Sequence, residues 1–377
     1  MAADGRSGSG ATIVAIVGTR PEAIKLRPLA RILRARGRAQ QVILTGQHRG
    51  LAATFDFLPP GAVTILDVDP AEQSPGEIAE TIHYRLCERL DRRDAGLLLV
   101  QGDTSSAYAG ALAAADCEIP LGHVEAGLRT FDLDQPWPEE GHRIAIDALS
   151  DLLFAPSGRA VANLAAEPDV RGVVHLTGNT AIDALLEVRG ACPPLPAPQA
   201  DRRRILLTCH RRENQGETLR RIASACRRLA RELPVEIVLP LHSAPVLRRS
   251  VDRLLGGVPH IRLVAPLGHA EMVALMESSW AVLTDSGGIQ EEAPALGKPA
   301  LVLREVTERG EAIDSGNAEL VGTDPDRIFD AVAGLIGDEA RYRRMATPAF
   351  PFGDGKAAER IADVVDKFLC GDMNGTP

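Results

Sequence analysis

The stretch that decides the fold is TIVAIVGTRPEAIKLRPL, residues 12–29. Its apolar first third predicts a buried strand, and the apolar residues beyond it recur at the spacing of a helix with one buried face. That helical stripe consists of Leu26, Leu29, Ala30 and Leu33. Thr19 and Glu22 have the T-x-x-E spacing of a capping box, which places the helix start directly after Gly18. A strand that turns straight into a helix is the repeating unit of parallel α/β proteins.

The same strand-helix pattern repeats along the chain. Thirteen short apolar runs are each followed by a polar turn. They are TIVAIV, QVILT, AVTIL, GLLLV, IPLGHV and DLLFA in the first half, and VVHLT, RILLT, VEIVL, HIRLVA, WAVLT, PALVL and AELVG in the second. Twisted sheets rarely exceed about 10 strands, and 377 residues exceed what one core usually organises. We therefore expect an α/β protein with two doubly wound parallel-sheet domains.

The boundary between the domains is predicted near AEPDVRG, residues 166–172. The segment that follows, VVHLTGNTAIDALLEV, has the strand-helix pattern with which a second domain would begin. We expect a disordered tail at 1–10, a first domain at 11–171 and a second domain at 172–354. A last helix is predicted from the stripe Ile361, Val364, Val365 and Phe368.

Composition excludes several classes of function. The formal net charge of -9 argues against a nucleic-acid partner, because proteins that bind phosphate backbones normally present a basic face. The six cysteines show neither a CxxC pair nor a Cys/His metal spacing, which favours reduced thiols in a cytoplasmic protein. Nowhere do about 18 apolar residues run together, so no membrane span is expected. The polar start MAADGRSGSGA is not typical of a signal peptide.

The stretch TDSGGIQEEAPALGKP, residues 284–299, is the strongest candidate for a phosphate site. Ser286, Gly287 and Gly288 stand where a helix should begin, so backbone N–H groups and the helix dipole can hold a phosphate there. Glu292 follows one turn later and could accept hydrogen bonds from both hydroxyls of a ribose. A glycine turn beside a solvated Glu pair is an equally good interpretation of this stretch alone.

Cations also follow the predicted strands. Arg20 and Lys25 begin the first helix, and they suit a phosphate because Arg offers a fork of donors and Lys a point charge. His210 and Arg309 follow strands of the second half and could complete the anion site. A structural histidine, and an ion pair of Arg309 with a neighbouring Glu, are the alternatives. The turn lacks a GxGxxG fingerprint, which disfavours a nicotinamide cofactor.

Carboxylates in three loops follow predicted strands of the first half, at the sheet edge where α/β proteins bind ligands. They are Asp103 in QGDTSS, Glu125 in HVEAG, and Glu139 and Glu140 in PWPEEGHR. Carboxylates grouped in a cleft can differ in pKa and so divide acid and base work. A lone Asp after a strand is more often a helix cap. The grouping of three acidic loops with Arg143 favours catalysis.

At these residues the chain resembles the non-hydrolysing UDP-N-acetylglucosamine 2-epimerases. The resemblance runs from about residue 13 to 368 and is carried by GTRPEAIK, TGQHR, GDTSS, HVEAGLRT, PWPEE, HLTGNTAIDAL, HRREN, TDSGGIQEEAPALGKP, TER and FGDGKAAERI. It implies the GT-B arrangement of two Rossmann-like domains, with the active site in the cleft between them. It also implies that a C-terminal helix at 355–372 completes the first domain. A homodimer is implied too, with no nicotinamide and no catalytic metal.

The resemblance also assigns roles to residues. The UDP-binding set is Arg20, Lys25, His210, Ser286, Gly287, Gly288, Glu292 and Arg309, and the catalytic set is Asp103, Glu125, Glu139 and His210. The implied reaction removes the C2 proton of UDP-N-acetylglucosamine as UDP leaves C1, and UDP then adds back to give UDP-N-acetylmannosamine. Three alternatives remain open: a hydrolysing 2-epimerase, a 2-epimerase of a modified UDP-aminosugar, and a GT-B glycosyltransferase.

The chain departs from the family pattern at a few positions. Gly141-His142-Arg143 follows PWPEE, where the family usually has an apolar residue and then Asn and Arg. Relatives often bind a second UDP-N-acetylglucosamine as an activator near TGQHR and near an arginine after the third strand. Gly50 stands where a Gln is common, and Glu72 stands in place of that arginine. We therefore expect activator control to be weakened or absent.

Overall fold

The computed structural model describes residues 11–372 except 67, 69–73, 194, 197, 199–200, 210–215 and 243–244. The predicted tail at 1–10, Glu72 and His210 lie outside the described residues. The chain forms two units, one of residues up to 184 together with those from 352 onward, and one of residues 185–351.

The first unit is a seven-stranded parallel sheet with helices on both faces. Its strands are β1 (Thr12–Val17), β2 (Gln40–Leu44), β3 (Val63–Ile65), β4 (Ala95–Gln101), β5 (Leu121–Val124), β6 (Leu152–Ala155) and β7 (Val173–Leu176). Its helices are α1 (Arg20–Ala35), α2 (Pro75–Cys87), α3 (Ser105–Asp116), α4 (Glu139–Leu149), α5 (Gly158–Ala166), the start of α6 (Thr180–Val188) and α14 (Ala357–Cys370), with a 3-10 helix at Ala52–Phe55. The strand order is β3-β2-β1-β4-β5-β6-β7.

The second unit is a six-stranded parallel sheet in the order β10-β9-β8-β11-β12-β13. Its strands are β8 (Arg203–Thr208), β9 (Val235–Pro240), β10 (Ile261–Val264), β11 (Ala281–Thr284), β12 (Ala300–Val302) and β13 (Ala318–Leu320). Its helices, after the end of α6, are α7 (Glu217–Glu232), α8 (Pro245–Leu255), α9 (His269–Glu277), α10 (Gly287–Ala295), α11 (Gly310–Asp314), α12 (Pro325–Gly337) and α13 (Glu339–Met345).

Two doubly wound parallel-sheet domains are therefore present, and each of the predicted apolar runs forms a strand. The predicted start of the second domain at 172 is wrong. Strand β7 pairs with β6 in the first sheet, so the first unit extends into α6 and ends at 184. The chain returns to the first unit at 352, three residues before the predicted 355. A cleft between the two domains stays a prediction.

The core of the first unit joins its beginning to its end. The predicted stripe of α1 is buried throughout, and it belongs to one apolar cluster with Ile361 and Val365 of α14. Asp183 on α6 accepts hydrogen bonds from the backbone nitrogens of Ala357 and Ala358, at 3.2 and 2.9 Å, and so holds the start of α14. Among the described helices, none is long and apolar enough to span a bilayer.

Candidate active site

Several of the predicted residues follow the strands at the topological switch points of the two sheets, where neighbouring strands send their connections in opposite directions. In the first sheet this point lies between β1 and β4, and in the second between β8 and β11. Doubly wound sheets bind ligands outside the carboxyl ends of the strands at such points. Each unit carries one group of candidate residues.

The turn after β1 is held by an internal carboxylate. A Cβ at Gly18 would lie 2.0 Å from Oγ of Ser106, so only glycine fits there. Oε2 of Glu22 accepts hydrogen bonds from the backbone nitrogens of Gly18 and Thr19, both at 2.6 Å, as the predicted capping box requires. The hydroxyl of Thr104, after β4, donates to Oε1 of Glu22. A side chain of this protein therefore occupies the amide groups at the amino end of α1.

Burial raises the pKa of Glu22 to about 7, although hydrogen bonds from Thr104, Thr19 and Gly18 act in the opposite direction. Arg20, the first residue of α1, is exposed, and its backbone nitrogen donates to Nδ1 of His48 at 3.2 Å. The loops after β1, β2 and β4 are thus joined at one edge of the sheet.

Glu125 lies at the centre of a buried polar group. It is 7% exposed, and its Oε2 forms an ion pair with Lys25 of α1. The same oxygen accepts hydrogen bonds from Nε2 of Gln101 at 2.9 Å and from Nδ2 of Asn179 at 3.1 Å. Its backbone has a φ of 75°, which is unusual for a residue with a side chain. Sequence analysis assigned Lys25 to the nucleotide and Glu125 to the sugar, whereas the structure pairs them.

Gln101 and Asn179 were missed as candidate site residues, although both stand in stretches quoted above, QGDTSS and HLTGNTAIDAL. The signal that could have identified them is their position: Gln101 is the last residue of β4, and Asn179 stands in the short turn between β7 and α6.

Asp103 is positioned by an arginine of α4. Both Nε and Nη2 of Arg143 lie 2.8 Å from Oδ2 of Asp103, and Nη1 of Arg143 pairs with Glu140. Glu140 in turn accepts hydrogen bonds from the backbone nitrogens of residues 130 and 131, both at 2.9 Å. Glu139, the predicted catalytic residue, is the first residue of α4 and is partly exposed. Glu140 therefore holds the loop at residues 130–131 in place, and Glu139 remains the candidate for proton transfer.

His142 supports Asp103 from the other side. Its Nδ1 lies 2.9 Å from the backbone carbonyl oxygen of Asp103, so that nitrogen carries the proton. The ring stacks on Tyr108 of α3 with a centroid separation of 4.7 Å. Burial lowers the pKa of His142, which favours the neutral imidazole. His142, one of the residues that depart from the pattern of the family that the sequence resembles, therefore contacts the loop of Asp103.

The second unit carries the candidate anion site at the start of α10. Ser286 precedes the helix, and a Cβ at Gly287 would lie 2.5 Å from Cζ of Arg309. The guanidinium of Arg309 thus packs against the amino end of the helix, and a Cβ at Gly288 would meet almost nothing. Arg309 is buried, and it forms ion pairs with Glu291, at 2.8 Å, and with Glu308. The ion pair of Arg309 with a neighbouring Glu, which was the alternative interpretation, is therefore present with Glu308, and it is buried.

Glu292, the candidate ribose ligand, is paired with a histidine that sequence analysis did not assign. Nε2 of His269, the first residue of α9, lies 3.0 Å from Oε1 of Glu292, and both side chains are mostly buried. A ribose hydroxyl would therefore meet a carboxylate that is already oriented. His269 stands directly after PLG, at the end of a strand and its turn.

Comparison with known proteins decides the family. A family model described as UDP-N-acetylglucosamine 2-epimerase matches residues 31–366. The chain belongs to this family. A probable UDP-N-acetylglucosamine 2-epimerase of Ralstonia solanacearum is 41% identical over 95% of this chain and 99% of its own length.

Solved structures agree with this membership. The UDP-GlcNAc 2-epimerase from Neisseria meningitidis bound to UDP-GlcNAc is similar with a TM-score of 0.86 and 37% identity, covering 94% of this chain and 100% of that one. The UDP co-structure of S. aureus MnaA has a TM-score of 0.86 and 36% identity, covering 97% and 99% of the two chains. The GT-B type of fold is shared with these family members.

The raised pKa of Glu22 predicts a pH-dependent stability. Its pKa of about 7 in the fold lies above the value of 4.5 for an unperturbed Glu, so its contribution is fully present below pH 4.5 and lost as the pH rises through 7. Urea unfolding of wild type and Glu22→Gln should show the wild type losing up to about 3 kcal/mol relative to the variant over this range. Glu77→Gln, at an exposed capping Glu whose pKa is lowered by Ser74, should show the opposite trend. A pH-independent difference for Glu22→Gln would contradict the assignment.

The two neighbouring glycines of α10 should respond differently to the same substitution. Gly287→Ala displaces the Arg309 guanidinium, and we expect a loss of about 1–3 kcal/mol in the free energy of unfolding. Gly288→Ala meets open space, so its stability should be unchanged or slightly increased. Urea unfolding of both variants and the wild type measures the difference. Equal stability for the two variants would show that Arg309 does not pack on Gly287.

Proposed function

We propose that this protein interconverts UDP-N-acetylglucosamine and UDP-N-acetylmannosamine by epimerisation at C2, without hydrolysis. The single observation that carries the proposal is a pair of carboxylates after the neighbouring strands β4 and β5, each paired with a cation, within a chain of this family. Asp103 is held by Arg143, and Glu125 is held by Lys25. The Neisseria meningitidis relative was solved with UDP-GlcNAc bound, which supports the choice of substrate.

The chemistry requires two coupled events. The C2 hydrogen beside an acetamide is a weak acid, so its removal must accompany cleavage of the bond between C1 and the diphosphate oxygen. The electron pair of the C2–H bond then forms a C1–C2 double bond, and UDP leaves with the bonding electrons, which gives a 2-acetamidoglucal. UDP adds back to C1 while a proton is delivered to the opposite face of C2. The sequence of steps is redox-neutral and balances without a cofactor.

We assign the proton transfers to Asp103, Glu125 and Glu139, without dividing the roles among them. Asp103 and Glu125 follow the neighbouring strands β4 and β5, and Glu139 begins α4. Their surroundings differ: Asp103 is 27% exposed at its side chain, and Glu125 only 6%. Groups in such different surroundings can hold and release protons at different stages of one reaction. His210, outside the described residues, is included in the proposal as a catalytic and UDP-binding residue.

We assign the nucleotide to the second unit, with further cations from the first. The amide groups at the start of α10 would receive the diphosphate beside Arg309, because a helix amino end favours negative charge. Glu292 would accept hydrogen bonds from the ribose hydroxyls in place of, or beside, its contact with His269. Arg20 and Lys25 complete the proposed set. Charge stabilisation of the departing diphosphate is the largest effect that these groups can supply.

The proposal is tested by incubating the protein with UDP-N-acetylglucosamine in heavy water. Proton and phosphorus NMR should show deuterium entering C2 of both epimers while the sugar-phosphate bond persists. Accumulation of free N-acetylmannosamine and UDP would identify a hydrolysing enzyme instead. Retention of the C2 proton without epimer formation would favour a glycosyltransferase.

A requirement for the gluco substrate before the reverse reaction proceeds would show that activator control survives despite Gly50, whose φ of 77° marks a tight turn.

Replacing the carboxylates one at a time tests their roles. Asp103→Asn, Glu125→Gln and Glu139→Gln should each lower kcat by about 100-fold or more, because each removes a group that transfers a proton in the transition state. Glu80→Gln, at an exposed position of α2, serves as the control and should keep normal turnover. Calorimetry with UDP should show that the variants still bind the nucleotide. Near-normal turnover in all three would refute the assignment.

The homodimer belongs to the same proposal, and sedimentation of the protein tests it.

A further inference from the structure

Two cysteines, a histidine and an aspartate meet where α2 and α3 end. His83 and Cys87 are four residues apart and so lie on the same face of α2. Asp116 is the last residue of α3, and Cys117 follows it. The two helices pack through their apolar faces in one core cluster, against which Cys87 and Cys117 are also packed. This packing holds the four side chains together from positions about 30 residues apart.

The distances suit a common ligand. Nε2 of His83 lies 2.8 Å from Oδ2 of Asp116, and one ligand atom from each of His83, Cys87 and Asp116 lies within 4.8 Å of the other two. Cys117 follows Asp116 directly, and Cys87 and Cys117 pack against the same apolar cluster. In a tetrahedral zinc site, ligand atoms are separated by roughly 3.5 Å, as follows from Zn–S and Zn–N bonds of about 2.3 and 2.0 Å. Small rotations of these exposed or half-exposed side chains would bring the ligand atoms, which lie within 4.8 Å of one another, to that separation.

Charge also favours a cation at this point. α2 and α3 both present their carboxyl ends here, where the helix dipoles place partial negative charge. Among the neighbouring arginines, Arg85 is paired with Glu88 and Arg92 with Glu118, while Arg89 donates to the backbone oxygen of Ile65. His83 and Asp116 face each other and form the rest of the polar group.

From this juxtaposition we propose that His83, Cys87, Asp116 and Cys117 form a zinc site on the first unit. One imidazole nitrogen, two thiolate sulfurs and one carboxylate oxygen are the donor types that Zn²⁺ takes, and four such ligands complete a closed, structural site. Binding releases the protons of the two thiols to solvent and changes no oxidation state. Sequence analysis found no Cys/His metal spacing, because the ligands come in two pairs on separate helices and neither pair alone has a recognisable spacing.

The site would fix the end of a helix whose beginning lies at the proposed active site. α3 starts after Asp103 and Thr104 and ends at the zinc ligands. A metal that ties the end of α3 to α2 constrains this helix without contacting the substrate. The zinc site therefore contributes stability to the first unit and leaves the proposed chemistry to other residues.

The test uses the full-length protein, reduced and treated with a chelator. Titration with Zn²⁺ against a chromophoric chelator should show one site per chain. Titration with Co²⁺ should give thiolate-to-cobalt charge-transfer absorption and the intense visible bands of tetrahedral coordination. Thermal unfolding should move to higher temperature with Zn²⁺ in proportion to the logarithm of its concentration.

Variants localise the site. Cys87→Ser and Cys117→Ser should each abolish the charge-transfer absorption or weaken it, and His83→Gln should lower zinc affinity by more than the roughly 10–100-fold that loss of an outer partner costs. Cys192→Ser, which removes a half-exposed thiol of the second unit, is the matched control and should bind as wild type does. His83→Gln leaves both thiols in place, so it remains informative if a cysteine variant folds poorly.

Three results would overturn the proposal. One is the absence of stoichiometric zinc binding by the reduced protein. Another is zinc binding that persists unchanged in Cys87→Ser, Cys117→Ser and His83→Gln. The third is a Cys87–Cys117 disulfide, found by peptide mass mapping after mild oxidation, in a protein whose reduced form binds no metal, since that would make the pair a redox couple.

Discussion

The buried carboxylate of Glu125 is the contact on which the architecture of the first unit's site depends. One of its oxygens receives donors from three other parts of the chain: Lys25 of α1, Gln101 at the end of β4, and Asn179 before α6. Removing charges from water costs several kcal/mol, and a buried pair recovers that cost only when further hydrogen bonds complete it. Loss of any one donor would leave a partly satisfied charge in the interior. The loops at the switch point are thereby fixed with respect to one another.

The same principle of internal pairing runs through the other candidate residues. Arg143 forms ion pairs with Asp103 and Glu140, Arg309 forms ion pairs with Glu291 and Glu308, and Glu22 accepts hydrogen bonds from the backbone amides of its own turn. A diphosphate bound as proposed would therefore meet cations that are already oriented by their partners. Such cations would keep their position without ligand, so little ordering would remain to oppose binding.

Much of the fold could be predicted from the sequence, because a strand-helix repeat is a local signal. Every predicted strand is present, and the stripe of α1 is buried as its spacing indicates. The domain boundary could not be predicted in the same way. The strand-helix unit that begins at Val173 looks the same whichever sheet receives it, and only its pairing with β6 settles the matter. Pairing between strands is a long-range property, and it was there that the prediction of residue 172 failed.

In the candidate site, too, local features could be predicted from the sequence and long-range contacts could not. Residue types at strand ends were predictable, since the carboxyl edge of a parallel sheet collects them. Their partners were not: Lys25 and Glu125 are 100 positions apart, and His269 and Glu292 are on different helices. The group at the end of α3 shows what this means for motif searches. A group divided between two helices has no spacing to recognise in the sequence, and only the packing of α2 on α3 brings His83, Cys87 and Asp116 together.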